Sequence, residues 1–298
     1  MISFIKTKIN HIILFFLFFL SITTIVTPQE QIKGLPFIKN FSPQEYGEHI
    51  QNWSIVQDQR GIMYIGNVNG IMEYDGETFR LIELPGNATG RSMAVDENNR
   101  IYVGTVGDIG YLRPDKNGET KFVSLTHKLD TNDRNFADVW NTRIAGENIL
   151  FRTYQKLFRY TQDTFTVWDA KQRFTGGFVI DESYFIRDET RGLLTIQGDS
   201  LVPAPYGDLF IEKYINHGLE FSNEKALFPS SDKLYLYYPS AQSSEKAITR
   251  FPTDSDEYIK QGNIYISHKT RTNKIIIGTL SNRGIVIIDS LQETPFKK

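Results

Sequence analysis

Residues 53–79 run Trp53-Ser-Ile-Val-Gln-Asp58-Gln-Arg-Gly61-Ile-Met-Tyr64-Ile-Gly66, then Asn69-Gly70-Ile-Met-Glu-Tyr74-Asp75-Gly76, and close at Phe79. Two short apolar runs flank Asp58-Gln-Arg-Gly61, and a second turn at Asn69-Gly70 opens a third, so the stretch predicts consecutive antiparallel strands joined by tight turns. The next stretch repeats it without a gap through its first half: Ser92-Met-Ala-Val-Asp96-Glu-Asn-Asn-Arg-Ile-Tyr102-Val-Gly104-Thr105, then Gly110-Tyr-Leu and Phe122. Such hairpins cannot bury an apolar face alone and must pack against their neighbours.

Weaker copies follow. The third is Glu147-Asn-Ile-Leu-Phe-Arg152-Thr153 with Leu157-Phe-Arg-Tyr160 and Phe165; the fourth is Phe178-Val-Ile-Asp-Glu-Ser-Tyr184-Phe-Ile186 with Gly192-Leu-Leu and Leu201. The fifth is Lys225-Ala-Leu-Phe228-Pro with Lys233-Leu-Tyr-Leu-Tyr237 and Phe251. The sixth is sharp again, Lys274-Ile-Ile-Ile-Gly278-Thr279 with Gly284-Ile-Val-Ile-Ile-Asp289. Taking the residue after each second strand as a marker (Gly66, Gly104, about Arg152, Ile186, Pro229 and Gly278), the period is about 42 residues, the length of a four-stranded propeller blade. No segment after residue 30 carries a sustained helical period. The expected fold is all-β, a β-propeller of about six to seven four-stranded blades over residues 47–289. Residues 28–46 form a linker or closing strand, with 37–42 available to complete the last blade, and 290–298 form a mobile polar tail. Without closure, the Ile-Val-Ile-Ile run at 285–288 would be an aggregation-prone edge.

The motif from Ile55 through Gly66, with Asn69-Gly70-Ile and Tyr74-Asp75-Gly76, resembles the two-component regulator propeller repeat. The run from Asn40 through Tyr46 to Trp53 resembles the opening of periplasmic sensors of the Bacteroidota type, the ectodomains of sensor histidine kinases and of transcriptional regulators with a three-tyrosine domain. The resemblance is strong in units one, two and six and weak in three to five. It implies a sensor that detects a ligand outside the cytoplasm and passes a conformational change across the membrane. Since the sequence stops at Lys298, it reads as a sensor truncated before its transmembrane and output domains, or as a free-standing relative.

The whole composition agrees. The 298 residues carry 33 Lys plus Arg against 35 Asp plus Glu, a net charge of -2, which lacks the basic surplus of a nucleic-acid-binding domain. Cysteine is absent, excluding disulfides, thiolate catalysis, cysteine-held metals and a lipid-modified N-terminus. At 13% aromatic the chain suits strands. Lys6 and Lys8 precede an uncharged apolar run at 12–26, too short for a typical membrane span, so residues 1–27 are read as a signal peptide and the protein as periplasmic or secreted, with an uncleaved anchor as the alternative.

Catalytic motifs are weak. There is no Gly-x-Ser-x-Gly string, and His11, His49, His127, His217 and His268 show no zinc-site spacing. Gly107-Asp-Ile-Gly110 reads as a hairpin turn and not a phosphate loop. Asp254-Ser-Asp256-Glu257 reads as a solvated connector, and Asp181-Glu182 and Asp188-Glu189 as exposed turn residues, although acidic pairs also serve glycosidases. No catalytic residue, metal or cofactor is assigned.

Binding is better supported. Residues just before the innermost strands should face the ligand end of the ring: Tyr46, His49 and Trp53, then Arg91, then Trp140 and Arg143, then Arg173 and Phe174. Aromatic rings stack on ligands or fill wedges between blades, whereas arginines are costly in a blade core and favour an anionic or sugar-acid ligand. The expected partners are a small-molecule or oligosaccharide ligand and a homodimer or membrane-bound output subunit, with no nucleic acid. A secreted glycan-active lyase or hydrolase is the rival reading, because fold does not fix function.

Overall fold

The computed structural model describes residues 39–288 apart from 214, 216, 217, 223, 231, 232, 263, 271 and 281–283. The expected signal peptide, the proposed tail at 290–298 and His217 lie outside the described residues. Two compact units are distinguished, Met1–Phe41 and Ser42–Lys298. In the first, the Lys39 ammonium lies 4.5 Å from the centroid of the Phe41 ring.

The second unit is a propeller of six sheets in chain order. Blade one is β1 (Asn52–Gln57), β2 (Met63–Asn67), β3 (Gly70–Tyr74) and β4 (Phe79–Ile82), preceded by the single turn of α1 (Pro43–Tyr46). Blade two is β5 (Gly90–Val95), β6 (Ile101–Thr105), β7 (Ile109–Pro114) and β8 (Thr120–Ser124). Blade three is β9 (Asn141–Ala145), β10 (Asn148–Arg152), β11 (Lys156–Thr161) and β12 (Thr164–Asp169). Blade four is β13 (Phe174–Ile180), β14 (Ser183–Asp188), β15 (Gly192–Gln197) and β16 (Ser200–Pro203). Blade five is β17 (Leu219–Ser222), β18 (Lys225–Pro229), β19 (Leu234–Tyr237) and β20 (Ile248–Phe251), with α2 (Ser244–Ala247) before its last strand. Blade six follows α3 (Asp256–Gly262) and shows β21 (Ile264–Lys269), β22 (Ile275–Thr279) and β23 (Ile285–Ile288) among the described residues. All pairings are antiparallel between consecutive strands, and the first strands of successive blades pack side by side.

Turn chemistry explains why the repeat is legible. Asp58 Oδ1 accepts from the N–H groups of Arg60 and Ile62, and its own N–H donates to Ile62 O. Asp96 and Asp115 bind back to Arg100 and Glu119 in the same way, and Thr270 to Lys274. Each of these turns ends on a left-handed residue, Gly61, Asn99, Gly118 or Asn273, as a type I turn with a bulge requires. Blades three and four use tighter turns: Gln162-Asp163 and Asp181-Glu182 both have positive φ at each residue. Asp181 and Glu182 are exposed there, as the sequence implied.

Among the described residues the apolar core is divided into five wedges, each drawn from two consecutive blades. Strand alternation sends Ile101 and Val103 toward blade one and Tyr102 toward blade three, and the sheets of blades two to five are apolar on both faces in this way. Tyr64 and Ile71 fill the first wedge, Phe151 and Phe158 the second, and Phe178 and Tyr237 the fourth.

The structure corrects several expectations. Residues 39–42, the described part of 37–42, form no strand. Among the described residues β23 lies at the sheet edge, with Ile285 and Ile287 more than half exposed. Asp254-Ser-Asp256-Glu257 is no loose connector, since Asp256 begins α3, accepts from the N–H and hydroxyl of Thr253, and pairs with Arg250. An acid at a helix start meets free N–H groups, which favours the turn over a solvated coil. Asp188 is fully buried, and only its neighbour Glu189 keeps accessible surface.

Candidate functional site

Register places one end of the ring. The start of each inner strand pairs with the end of the second strand: Asn52 with Asn67, Gly90 with Thr105, Asn141 with Arg152 and Phe174 with Asp188. Side chains just before the inner strands and in the loops after the second strands therefore share a face. In blades one and two the pairing slips between Asn52 and Ser54 and between Gly90 and Ser92, which leaves Trp53 and Arg91 as the extra residues of two bulges. A bulge re-aims its side chain, and here both point toward Trp140.

The result is a ladder of aromatic rings and cations across four blades. The Arg91 guanidinium lies 4.0 Å from the Trp53 ring centroid and 4.8 Å from that of Trp140, and the two indoles meet edge to face at 5.8 Å. Trp140 continues to Tyr154 at 5.6 Å, and Tyr154 carries the Arg173 guanidinium at 3.7 Å. Contacts of this kind contribute about 0.5–2 kcal/mol each, rising with desolvation. Arg91 is also held by Asp138, with Nε 2.5 Å from Oδ1. The inner strands beneath are tied across blades by Ser92 Oγ, which donates to Val139 O and shares a 2.8 Å hydrogen bond with Thr142 Oγ1.

Several polar atoms along this face are buried without a partner: Trp53 Nε1, Arg91 Nη1, Arg152 Nε, Arg173 Nε and the Tyr184 hydroxyl. Buried donors are nearly always satisfied, so a cluster of idle ones calls for an occupant. Burial holds the Arg143 and Arg152 guanidinium pKa values below their ordinary range and pushes the Tyr184 phenol up to about 12.

The structure gathers Trp53, Arg91, Trp140 and Arg173 of the sequence-derived candidates at this end, while Arg143 lies further along β9, opposite Leu150 and near Arg152 and Tyr184. His49 is exposed at the rim, where its Nδ1 accepts from Gln51 N–H and its carbonyl from Asn67. Tyr46 lies apart. Its ring packs 5.9 Å from Phe79 on the outermost strand of blade one, because α1 carries it there. Phe174 is also displaced from the expected role: its ring is fully buried in the wedge between blades three and four, and only its carbonyl takes part, accepting from Arg152 Nη1 at 3.2 Å. Asp138, Arg152, Tyr154 and Tyr184 were missed. The one signal for Arg152 was an arginine standing at the marker position that glycine occupies in units one, two and six.

Asp188 shows how blade four holds its end of the face. Burial alone would raise its pKa, but hydrogen bonds from the N–H groups of Lys171 and Thr190, the Thr190 hydroxyl and Arg191 lower it to about 2. Elsewhere, a cavity of about 410 Å³ lies beside the outer strands of blades one and two, lined by Arg80, Glu83, Glu119 and Lys121 among others, with no aromatic platform. Its charges are balanced and it is remote from the ladder.

No family model and no curated protein matches the sequence. Solved structures match well. The extracellular domain of the hybrid two-component system BT4673 from B. thetaiotaomicron superposes with a TM-score of 0.58 at 17% identity, over 82% of this chain and 32% of that one. The corresponding domain of BT3049 from the same organism gives 0.58 at 15%, over 84% and 35%. A catalytically inactive virginiamycin B lyase from Staphylococcus aureus, with quinupristin, gives 0.57 at 12%, over 78% of each chain. This chain therefore has a β-propeller fold similar to that of these two extracellular domains and of the lyase. It spans about a third of the length of the two ectodomains. Among the described residues, no helix is long and apolar enough to cross a membrane.

Proposed function

We propose that this chain is the ligand-sensing propeller of an extracytoplasmic signal-transduction system, of the two-component or one-component kind, and that the ladder face receives a small molecule or oligosaccharide. The observation that carries this reading is the ladder itself, flat rings and cations from four blades bordered by idle donors. Rings offer faces for stacking while the donors fix orientation, the usual division of labour in a ligand site. Location outside the cytoplasm is supported by the apolar run at 12–26 and by the extracellular origin of the two similar domains. Binding would bias two arrangements of the domain, or of a dimer or output partner attached to it.

Calorimetric titration of the full chain with neutral and acidic oligosaccharides tests the proposal. Trp140→Ala should weaken binding about tenfold or more, a loss of ~1.4 kcal/mol. Absence of binding across the panel, or an unchanged affinity in the variant, overturns the assignment. The lyase reading keeps one supporting observation, the similar coverage of both chains in the lyase superposition. Mass spectrometry of recovered ligand decides between them, since a sensor returns it intact and an enzyme returns product.

A further inference from the structure

The junction of blades three and four holds positive charge that its surroundings do not neutralise. Two loops show the equivalence of Arg152 and Arg187. Thr153 Oγ1 accepts from the N–H groups of Gln155 and Lys156, and Asp188 Oδ1 accepts from those of Thr190 and Arg191, so the residues before them are equivalent, which moves the marker of blade four from Ile186, as read from sequence, to Arg187. Each arginine is 5% exposed. Arg187 spends its donors on Phe210 O, Ile211 O and Thr175 Oγ1. Arg152 gives Nη1 to Phe174 O, and its Nε has no partner.

Around Arg152 the neighbouring charges are Arg143 and Arg173, with the phenols of Tyr184 and Tyr154. Arg143 makes a long 3.4 Å contact to Thr142 O and keeps accessible surface although protein encloses it, as expected of a channel wall. Tyr184, 3% exposed, has an unpartnered hydroxyl. That hydroxyl sits over Gly177, where a Cβ would approach its oxygen to 2.3 Å. Among the described residues no carboxylate lies within 4 Å of Arg143, Arg152 or Arg173.

We infer that this junction is an oxyanion subsite, in which Arg143, Arg152, Arg173 and the Tyr184 hydroxyl receive one carboxylate, sulfate or phosphate group of a ligand whose remainder lies on the ladder. The inference rests on the ladder as a ligand face and names the chemistry that face selects. Three guanidinium groups in a water-poor site repel one another, and one oxyanion relieves that repulsion while accepting the idle N–H and O–H donors. The raised phenol pKa keeps Tyr184 protonated and able to donate.

The test is the melting temperature of the full chain at constant ionic strength in chloride, with sodium sulfate, phosphate, acetate or glucuronate added. Specific binding raises Tm with the logarithm of anion concentration. Sulfate and phosphate also stabilise folded proteins generally, so Arg152→Gln is the reference and Arg60→Gln on the surface the parallel control. The expected result is a rise in wild type and Arg60→Gln that is lost in Arg152→Gln. Tyr184→Phe, which removes only the hydroxyl, should weaken the response several-fold and serves if Arg152→Gln fails to fold. A response to acetate and glucuronate names a carboxylate, and one to sulfate or phosphate names an ester. The same rise in every variant, or none in any, overturns the subsite. Trp140→Ala should leave the inorganic-anion response intact while weakening oligosaccharide binding, so the subsite and the ladder can fail separately.

Discussion

Blades one and two differ from blades three and four at one register position, and the difference separates building the ring from using it. At Gly66 a Cβ would come within 2.7 Å of the Gly90 carbonyl oxygen, and at Gly104 within 2.4 Å of Val139 Cγ1. The first junction is thus closed by the Gly90 backbone and the second by the Val139 side chain, at distances that only glycine allows. At the third and fourth the equivalent residues are Arg152 and Arg187, and the junction opens enough to hold a guanidinium. The sharp repeats are where packing dictates the residue. Units three and four lose the motif where the ring has admitted an arginine.

Substitutions at this position should give the largest effects. Gly104→Arg puts a long cation where no Cβ fits and should cost about 4 kcal/mol or more in urea unfolding, a loss that a wild-type midpoint would contradict. Arg187→Met strands the Phe210 and Ile211 carbonyls and should cost about 3 kcal/mol, whereas Arg152→Met removes an unneutralised buried charge and should change stability by less than ~1 kcal/mol. Equal losses from the two arginines would erase the distinction between them.

A pH titration sharpens the same contrast. Because the Asp188 pKa is lowered from 3.8 to about 2 in the folded state, its contribution is complete above pH 3.8 and is lost as pH falls toward 2. Asp188→Asn should flatten that part of the stability curve, and an unchanged acid slope would remove Asp188 as the cause. The smallest effect belongs to the turns. Gly118→Ala, at a φ of +85°, should cost about 1 kcal/mol, while Asp181-Glu182→Asn-Gly should gain a few tenths, both measured by thermal unfolding.

These contrasts also explain what could be read from sequence. The fold was legible because Asp58, Asp96 and Asp115 make their turns with their own side chains, a local device that leaves its mark in a few consecutive residues. Trp53, Arg91 and Trp140 were legible as candidates because bulge and strand-start positions recur with the period. Asp188 was not, since its partners lie on a loop 17 residues earlier and on the turn that follows. Phe174 and Tyr46 were misplaced for a related reason: whether an aromatic at a strand start faces the channel or the wedge depends on the neighbouring blade, and repeat spacing is silent about that. Tyr154 hid because the matching loop in units one and two carries Val68 and Val106, so an aromatic ring at that place left no periodic mark.

The ladder crosses three successive blade junctions without a hydrophobic wedge of its own, so it works as a brace laid over seams that the core seals from below. A guest that pried Arg91 from Trp140 would loosen that brace and let neighbouring blades pivot, turning an event a few ångströms wide into a shift between whole sheets.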